Sequence, residues 1–432
     1  MHMKTILILL LTVVLTSQTT ALQAASAADG DSLRIRDDVY TEEEGFFRMA
    51  YRDASDPTFM FTDRRGDFSF GVGGTVRAGA FYDIGGSIDD CKFNTSKIPV
   101  PTDRKNHFGY TLDNSNVYLK ARGKARGVKI AAFLQLTSSA DNIVLYQAYV
   151  SLGRFSLGKT HSFFVDLESG VRTIDLRGPN TQVDCTHPLI GYSQSFGTHW
   201  SMGVALEQPT EITSDFADVV NVSAEYNRLP DVAARVKWRG QRGHVQLGGI
   251  VRELSYWASN EGFSNATKGK SFYKYGYGLA LSGSVRPSER LTISGQFVAG
   301  RGIATYIQDL SGLYADMQVN VESYQRALGG MGYARLEPAP ATGGYLGAGY
   351  RFAPRIEASA VVGYCHLRCD KDMDMATDFH SSLYATVNLV YFISDNCMAG
   401  IEYANGRREA YVVQGDDAGV AGRLNACFVY RF

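Results

Sequence analysis

From Phe68 onward the chain alternates apolar and polar residues at period two. Phe68, Phe70, Val72, Val76, Ala78, Ala80 and Tyr82 fall on one face, with Ser69, Thr75, Arg77 and Asp83 on the other. That period belongs to a strand with two different faces, not to a helix. After a polar loop to about 109, the signal returns as strand pairs joined by short turns and separated by long loops. Val117 to Arg122 turns at Gly123 to Gly127 into Val128 to Thr137, and Ile143 to Leu152 turns at Gly153-Arg154 into Phe155 to Lys159. Pro188 to Phe196 is followed by Trp200 to Glu207, Asp231 to Arg239 by His244 to Tyr256, and Phe272 to Arg286 by Leu291 to Gly302. Thr342 to Phe352 leads into Ile356 to His366, and Phe379 to Ile393 into Cys397 to Tyr403. In the last strand Val420, Leu424, Ala426, Phe428, Tyr430 and Phe432 point one way, and Arg423, Asn425, Cys427 and Arg431 the other.

The count is about sixteen, each strand close to the roughly 9–11 residues that a tilted strand needs to cross a bilayer. Short and long connections alternate strictly, as they do when one end of a barrel carries tight periplasmic turns and the other long outer loops. An even number returns both chain ends to the same side. A final strand with an aromatic face suits a wall whose outer solvent is lipid. The predicted fold is therefore all-β: a transmembrane antiparallel up-and-down β-barrel. Sixteen strands leave an aqueous channel, whereas a plugged transporter of about twenty-two would need far more chain.

The N-terminus adds an address. Lys4, the apolar run Ile6 to Leu15 and the small residues Ala25-Ser26-Ala27 read as a signal peptide over residues 1–27, cut before Ala28. Its apolar core of about ten residues is too short to span as a helix. Residues 28–67, polar and without a period, read as a periplasmic N-terminal extension, and 68–432 as the barrel in a bacterial outer membrane. Composition decides little: 45 Gly, 25 Tyr, 23 Phe and a mean hydropathy of −0.15 suit this barrel or a soluble exported all-β protein. A net charge of −1 singles out no partner, and nothing points to nucleic acid. Of the six cysteines, Cys365 and Cys369 lie too far apart along one extended strand to bridge unless the chain turns between them. Cys397 and Cys427 lie near the same end of neighbouring strands, where a bridge is possible.

If the apolar parity meets lipid, the other parity lines water. It carries Arg77, Lys120, Arg122, Lys129, Arg235, Lys237, Arg239, Arg252, Arg286, Arg351, Arg408, Arg423 and Arg431, against Asp83, Glu207, Glu357 and Glu402. Arg239, Arg286 and Arg431 border turns; Arg77, Lys120, Arg122, Lys129 and Arg252 are expected well inside their strands. The predicted pore-lining set is Arg77, Lys120, Arg122, Lys129, Arg235, Lys237, Arg252, Arg351 and Arg423. Fixed cations around a low-dielectric passage favour counter-ions, so the expected partners are small anionic solutes, besides outer-membrane lipids and lipopolysaccharide. The loop spanning 161–187 mixes aromatics with His161, Asp166, Arg172, Asp175 and Arg177, and is expected to fold into the lumen as a constriction.

Other chemistry finds little support. Cys365-His366 with Cys369 lacks a second ligand pair for a metal site. Asp370, Asp372 and Asp374 open like a calcium loop, but Met375 and Ser381 stand where Gly and Glu are needed. No Gly-x-Ser-x-Gly elbow occurs, and His161-Ser162 and His380-Ser381 carry no third partner. Neither a cofactor nor an enzymatic activity is expected. The competing readings are an outer-membrane barrel enzyme of lipase or protease type and a structural or adhesive barrel.

Four stretches carry a resemblance: Leu145-Tyr-Gln-Ala-Tyr-Val150, Phe155 to Asp166, Thr173 to Asn180, and Trp200 to Glu207. From about Val117 to Pro209 the chain resembles the DcaP-like family of outer-membrane porins, and the strand pattern continues to Phe432. The resemblance implies a homotrimer of sixteen-stranded barrels passing small anions such as dicarboxylates. Gln147 stands where that family often has arginine, His161 where it often has tryptophan, and residues 28–67 show no heptads for a coiled-coil stalk.

Overall fold

The computed structural model describes residues 59–432 apart from 64–66, 87, 89, 103–104, 126, 141, 210–221, 226, 260–268 and 412–417. The export signal and most of the 28–67 extension lie outside the described residues. Sixteen antiparallel strands among the described residues close into one barrel. They are β1 Phe68–Ile84, β2 in two segments (His107–Thr111 and Asn116–Ala125), β3 Val128–Ser139, β4 Asn142–Leu152, β5 Phe155–His161, β6 Thr186–Phe196, β7 Trp200–Glu207 and β8 Asp231–Gly240. The circle continues with β9 Gly243–Ala258, β10 Lys270–Val285, β11 Leu291–Arg301, β12 Pro340–Ala353, β13 Ile356–Leu367, β14 Phe379–Ser394, β15 Cys397–Ala410 and β16 Ala418–Arg431. β16 closes on β1, setting Phe428 opposite Ala78 and Leu424 opposite Tyr82.

Side-chain parity follows the sequence. On β1 the exposed residues include Phe68, Val76, Ala78 and Tyr82, while Arg77, Phe81 and Asp83 are buried inside. Trp200, Met202, Val204 and Leu206 of β7, and Tyr275, Tyr277, Leu279 and Leu281 of β10, continue the exposed apolar band. Water does not tolerate a contiguous apolar surface of this extent; lipid does, and a closed barrel satisfies its own backbone there. No helix among the described residues is long and apolar enough to cross a membrane.

The structure departs from the sequence reading in five places. The first loop, expected to be polar to about 109, contains the strand His107–Thr111, paired with Gly79–Asp83. Its five residues, His-Phe-Gly-Tyr-Thr, are too few to establish a period. β15 runs to Ala410 instead of ending near Tyr403. Its upper outward positions, Asn405, Arg407 and Glu409, are polar, so the apolar signal fades before the strand does. Connections do not alternate strictly, because Ser139 of β3 pairs directly with Asn142 of β4 across a two-residue gap. The end of the aperiodic 28–67 stretch supplies Phe59–Thr62, which pairs with Ser69–Val72. Finally, Cys397 lies opposite Tyr430 while Cys427 lies opposite Gly400, so the two thiols point to opposite faces and cannot bridge; all six cysteines are free.

Inside, the barrel is packed by its own loops. Phe163, Phe164, Val183, Ile303, Tyr306 and Ile307 form one buried cluster against the inner wall, and Ile88, Phe93, Ile98 and Val171 build another. Between β11 and β12 the chain forms the helix Val321–Leu328 and two strands of a small sheet, Met317–Asn320 and Leu336–Pro338. Leu346, 66% exposed on β12, lies within the lipid-facing band. Leu346→Arg should cost about 2–4 kcal/mol of unfolding free energy in lipid vesicles. Unchanged stability would contradict the outward assignment.

Candidate functional site: the loop-lined lumen

The segment between β5 and β6 runs along the inner wall and is fixed there at each step. At its start, the Phe163 N–H donates to Glu207 of β7 at 2.8 Å. The Phe163 ring rests on Gly191 and Gly203, where an added Cβ would stand 2.5 and 2.8 Å from ring carbons. The Arg235 guanidinium covers the ring at 4.3 Å, a cation–π contact. Next, the Asp166 carboxylate accepts from Lys237 Nζ at 3.0 Å, His244 Nε2 at 2.8 Å and Ser282 Oγ at 2.7 Å. Arg172 pairs with Glu357 at 3.2 Å, and the N–H groups of Ile174 and Asp175 both donate to Glu402, each at 2.8 Å. Arg77 donates to the Ile174 carbonyl at 2.8 Å. Further on, Asn180 donates to Ser382 Oγ at 2.8 Å and Gln296 to the Thr181 carbonyl at 3.0 Å. Charge-assisted bonds of this kind are short and strong where water is excluded.

Two further loops fold inward. Arg423, fully buried, pairs with Asp83 at 2.6 Å, donates to the carbonyls of Ile88 and Asp90, and lies over the Phe81 ring at 4.2 Å. It thereby fastens the loop after β1, whose Ile98 carbonyl is held by Arg408 at 3.0 Å. Arg252 is bonded to Asp231 at 2.9 Å, Asp316 at 3.0 Å and the Gly302 carbonyl at 2.7 Å, fastening the loop after β11. The three loops meet at Asp309, which accepts from Thr95 Oγ1 at 2.6 Å, the Ser96 N–H at 3.1 Å and Ser382 Oγ at 2.5 Å. Its N–H donates to the Asn180 carbonyl at 2.9 Å.

The residues singled out by sequence therefore take different places. Arg77, Arg235, Lys237, Arg252 and Arg423 face inward and grip loops. Arg351 faces Glu357 at 3.7 Å near the short-turn end. Lys120 and Arg122 point inward from β2 and are half-buried, whereas Lys129 is exposed one residue in from the start of β3, beside the turn and not in mid-strand. Within the 161–187 segment, Asp166, Arg172 and Asp175 hold the loop to the wall, and Arg177 donates to the Gln308 carbonyl. His161 sits at the end of β5, 3.4 Å from Asp184 and edge-on to Tyr146. Sequence reading missed Asp231, and missed that two more loops turn inward. The available signal was glycine at inward strand positions: Gly343 lies under Thr181, Gly347 under Val171, Gly400 under Ile174 and Gly406 under Thr95. A strand glycine marks close backbone approach.

The other motifs come apart in space. Cys365 is buried inside while its neighbour His366 points outward, and Asp370 is taken by Arg301 at 2.8 Å and Arg368 at 3.0 Å. Ser381 donates to Glu409 at 2.9 Å, and His380 lies 3.5 Å from the same oxygen. The carboxylate thus stands between hydroxyl and imidazole, the wrong order for activating a nucleophile.

A closed barrel, apolar outside and narrowed by inward loops, is the architecture of a pore-forming membrane protein. Residues 74–311 match the family described as the Porin subfamily, and the chain belongs to it. Its structure is similar to the outer-membrane channel DcaP of Acinetobacter baumannii, with a TM-score of 0.68, 18% identity, and coverage of 86% of this chain and 99% of that one. It is also similar to OmpT of Vibrio cholerae (TM-score 0.53, 9% identity, 87% and 100% covered) and to an anion-selective porin from Comamonas acidovorans (TM-score 0.52, 11% identity, 85% and 100% covered). At these identities the likeness is one of fold. No curated protein matches the chain.

Asp166 offers a test of how the loop is held. Burial alone would raise its pKa, but the hydrogen bond from His244 and the charge of Lys237 outweigh burial and hold it below the usual carboxylate range. The anchor is therefore complete at neutral pH and is lost as pH falls from the ordinary aspartate range toward the depressed value. Asp166→Asn should cost about 1–3 kcal/mol, because Lys237 keeps Glu168 at 3.1 Å but both it and His244 lose the more buried carboxylate. Faster hydrogen exchange in 163–175 would report it; unchanged exchange would mean that the loop is held elsewhere.

Proposed function

We propose that this porin is a passive diffusion channel of the bacterial outer membrane that favours small anionic solutes, dicarboxylates among them. The observation carrying the proposal is a sector of the inner wall. The inward positions of β2 to β4 hold Lys120, Arg122, Lys124 and Lys129 together with Tyr118, Phe133, Gln135, Gln147 and Tyr149, and no carboxylate. The inward strand positions of this sector therefore carry an excess of positive over negative residues. Cations along a low-dielectric passage raise the local concentration of anions and lower their entry barrier. The anion-selective porin among similar structures is consistent with this reading. A non-enzymatic role belongs to the same proposal, supported by the porin family match and the similarity to outer-membrane channels.

Assembly as a homotrimer belongs to the same proposal. Among the similar structures is a trimer form of OmpT. On this chain, Lys159 of β5 has outward parity, pairing with Ala148 and Pro188, and its ammonium donates to the Leu145 carbonyl at 2.8 Å. β5 has seven residues, fewer than the roughly 9–11 a spanning strand needs. A low wall bearing a charge on its outer side suits a protein neighbour better than lipid.

In planar bilayers under a salt gradient, the reversal potential should carry the sign of an anion-favouring channel. Lys120→Gln combined with Arg122→Gln should move it toward zero. A cation-favouring wild type, or a double variant with unaltered selectivity, would sink the proposal.

A further inference from the structure

Three consecutive short turns, joining β8 to β9, β10 to β11 and β12 to β13, carry or adjoin Arg239 and Arg242, Arg286 and Arg290, and Arg351 and Arg355. Short turns mark the periplasmic end of a barrel of this kind. The strand ladder runs on into these turns. The Arg286 N–H donates to the Arg242 carbonyl at 2.6 Å, the Arg351 N–H to the Arg290 carbonyl at 2.8 Å, and the Phe392 N–H to the Arg355 carbonyl at 2.9 Å. Strand parity therefore holds into the turns. Arg242 and Arg286 continue the inward row of His244 and Ser284, Arg290 stands beside Arg351, Arg355 beside Phe392, and Arg239 follows Arg235 and Lys237. All six arginines lie on the lumen side of the wall at its periplasmic mouth.

Two of these placements set like charges directly opposite each other, Arg242 against Arg286 and Arg290 against Arg351, which destabilises a strand pair. Arg239 has Glu168 at 2.5 Å and Arg351 has Glu357 at 3.7 Å. Arg242, Arg286, Arg290 and Arg355 are exposed, and among the described residues no carboxylate pairs with any of them, Glu289 of the same arc included. The next turn, with Asp395, ends the arc. Solvated turn arginines need no ligand, but neither do they need to share one parity or to stand opposite one another. Outward arginines at this level would meet lipid headgroups; inward ones meet what the channel carries.

We infer that this arginine arc is an anion-binding site at the periplasmic mouth, taking small multivalent oxyanions such as phosphate or a dicarboxylate. The inference rests on the anion-favouring reading of the channel and deepens it: Lys120 and Arg122 act on the β2 wall, the arc at the mouth. A guanidinium offers paired N–H groups that match two oxygens of a phosphate or carboxylate. Two arginines set opposite each other can share one doubly charged anion, which relieves their mutual repulsion. Chloride offers neither the second charge nor the second oxygen. Fixed cations around one mouth concentrate counter-ions there, so the effect of a bound oxyanion depends on the side from which it arrives.

Single channels of the full-length protein in a planar bilayer, in potassium chloride of low ionic strength to limit screening, test this with inorganic phosphate and succinate added to each side in turn. The expected result is block of the chloride current by either anion, stronger from one side than from the other. In a variant carrying Arg242→Gln, Arg286→Gln, Arg290→Gln and Arg355→Gln the block should be about tenfold weaker, since exposed contacts are individually weak and act here together. The ratio of the two half-blocking concentrations tells a phosphoryl ligand from a dicarboxylate. Heat-modifiable mobility reports whether the variant barrel is folded; if it is not, Arg242→Gln with Arg286→Gln takes its place. Block that is absent, equal from both sides, or unaltered in the folded variant would overturn the mouth site and leave the proposed function standing, provided the wild type favours anions. A cation-favouring wild type would overturn the proposed function, and the mouth site with it if neither oxyanion blocks.

Discussion

The structure depends on fixed charges of the barrel wall that bond to backbone and side chains of loops lying inside it. Glu402 accepts two successive loop N–H groups, Glu207 accepts a third, and Arg77 donates to a carbonyl between those contacts. A strand wall alone would enclose a wide water-filled cylinder. These bonds hold about two dozen residues between β5 and β6 against one side of that cylinder. Each is made where water is scarce, so a lost partner leaves a buried charge or amide uncompensated, which costs more than an exposed contact would.

The same arrangement changes what a basic lumen means. Counting inward residues by parity gives a strong excess of Arg and Lys on the wall. In the folded chain Arg252 and Arg423 are fully enclosed by carboxylates and carbonyls, and Lys237 shares Asp166 with His244. These cations hold the loops that line the inside of the barrel. The sector from β2 to β4, with its cations and aromatic side chains, differs because no inward carboxylate stands on it. On the proposed function, shape and selectivity would be divided between two parts of one inner surface.

The fold was legible because the outer solvent of the barrel is apolar. Val76, Ala78 and Tyr82, or Phe428 and Tyr430, must face lipid at every second position, and that demand writes a period into the sequence. Legibility ended where the demand ended. Asn405, Arg407 and Glu409 continue β15 above the apolar band, and His107–Thr111 is too short to show alternation. For the site, parity placed Arg77, Arg235 and Arg252 inside, but no local pattern told a cation in open lumen from one paired with a carboxylate sixty or more residues away. Asp316 for Arg252, Asp166 for Lys237 and Asp83 for Arg423 are all distant in sequence. Glycines such as Gly191 and Gly203 carried the missing information, since a ring from another segment occupies the space of their absent side chains.

The central claim is that wall cations divide into loop-holding ones shut away from solute and a β2–β3 group that solute meets. Modification by a charged, membrane-impermeant thiol reagent during single-channel recording tests it directly, using cysteine at 120, 122, 235 or 237 in a variant whose six native cysteines are replaced. Reaction at 120 and 122 with a change in current, and silence at 235 and 237 while the loop remains in place, is the predicted outcome. Rapid reaction at 235 and 237 with none at 120 and 122 would contradict it.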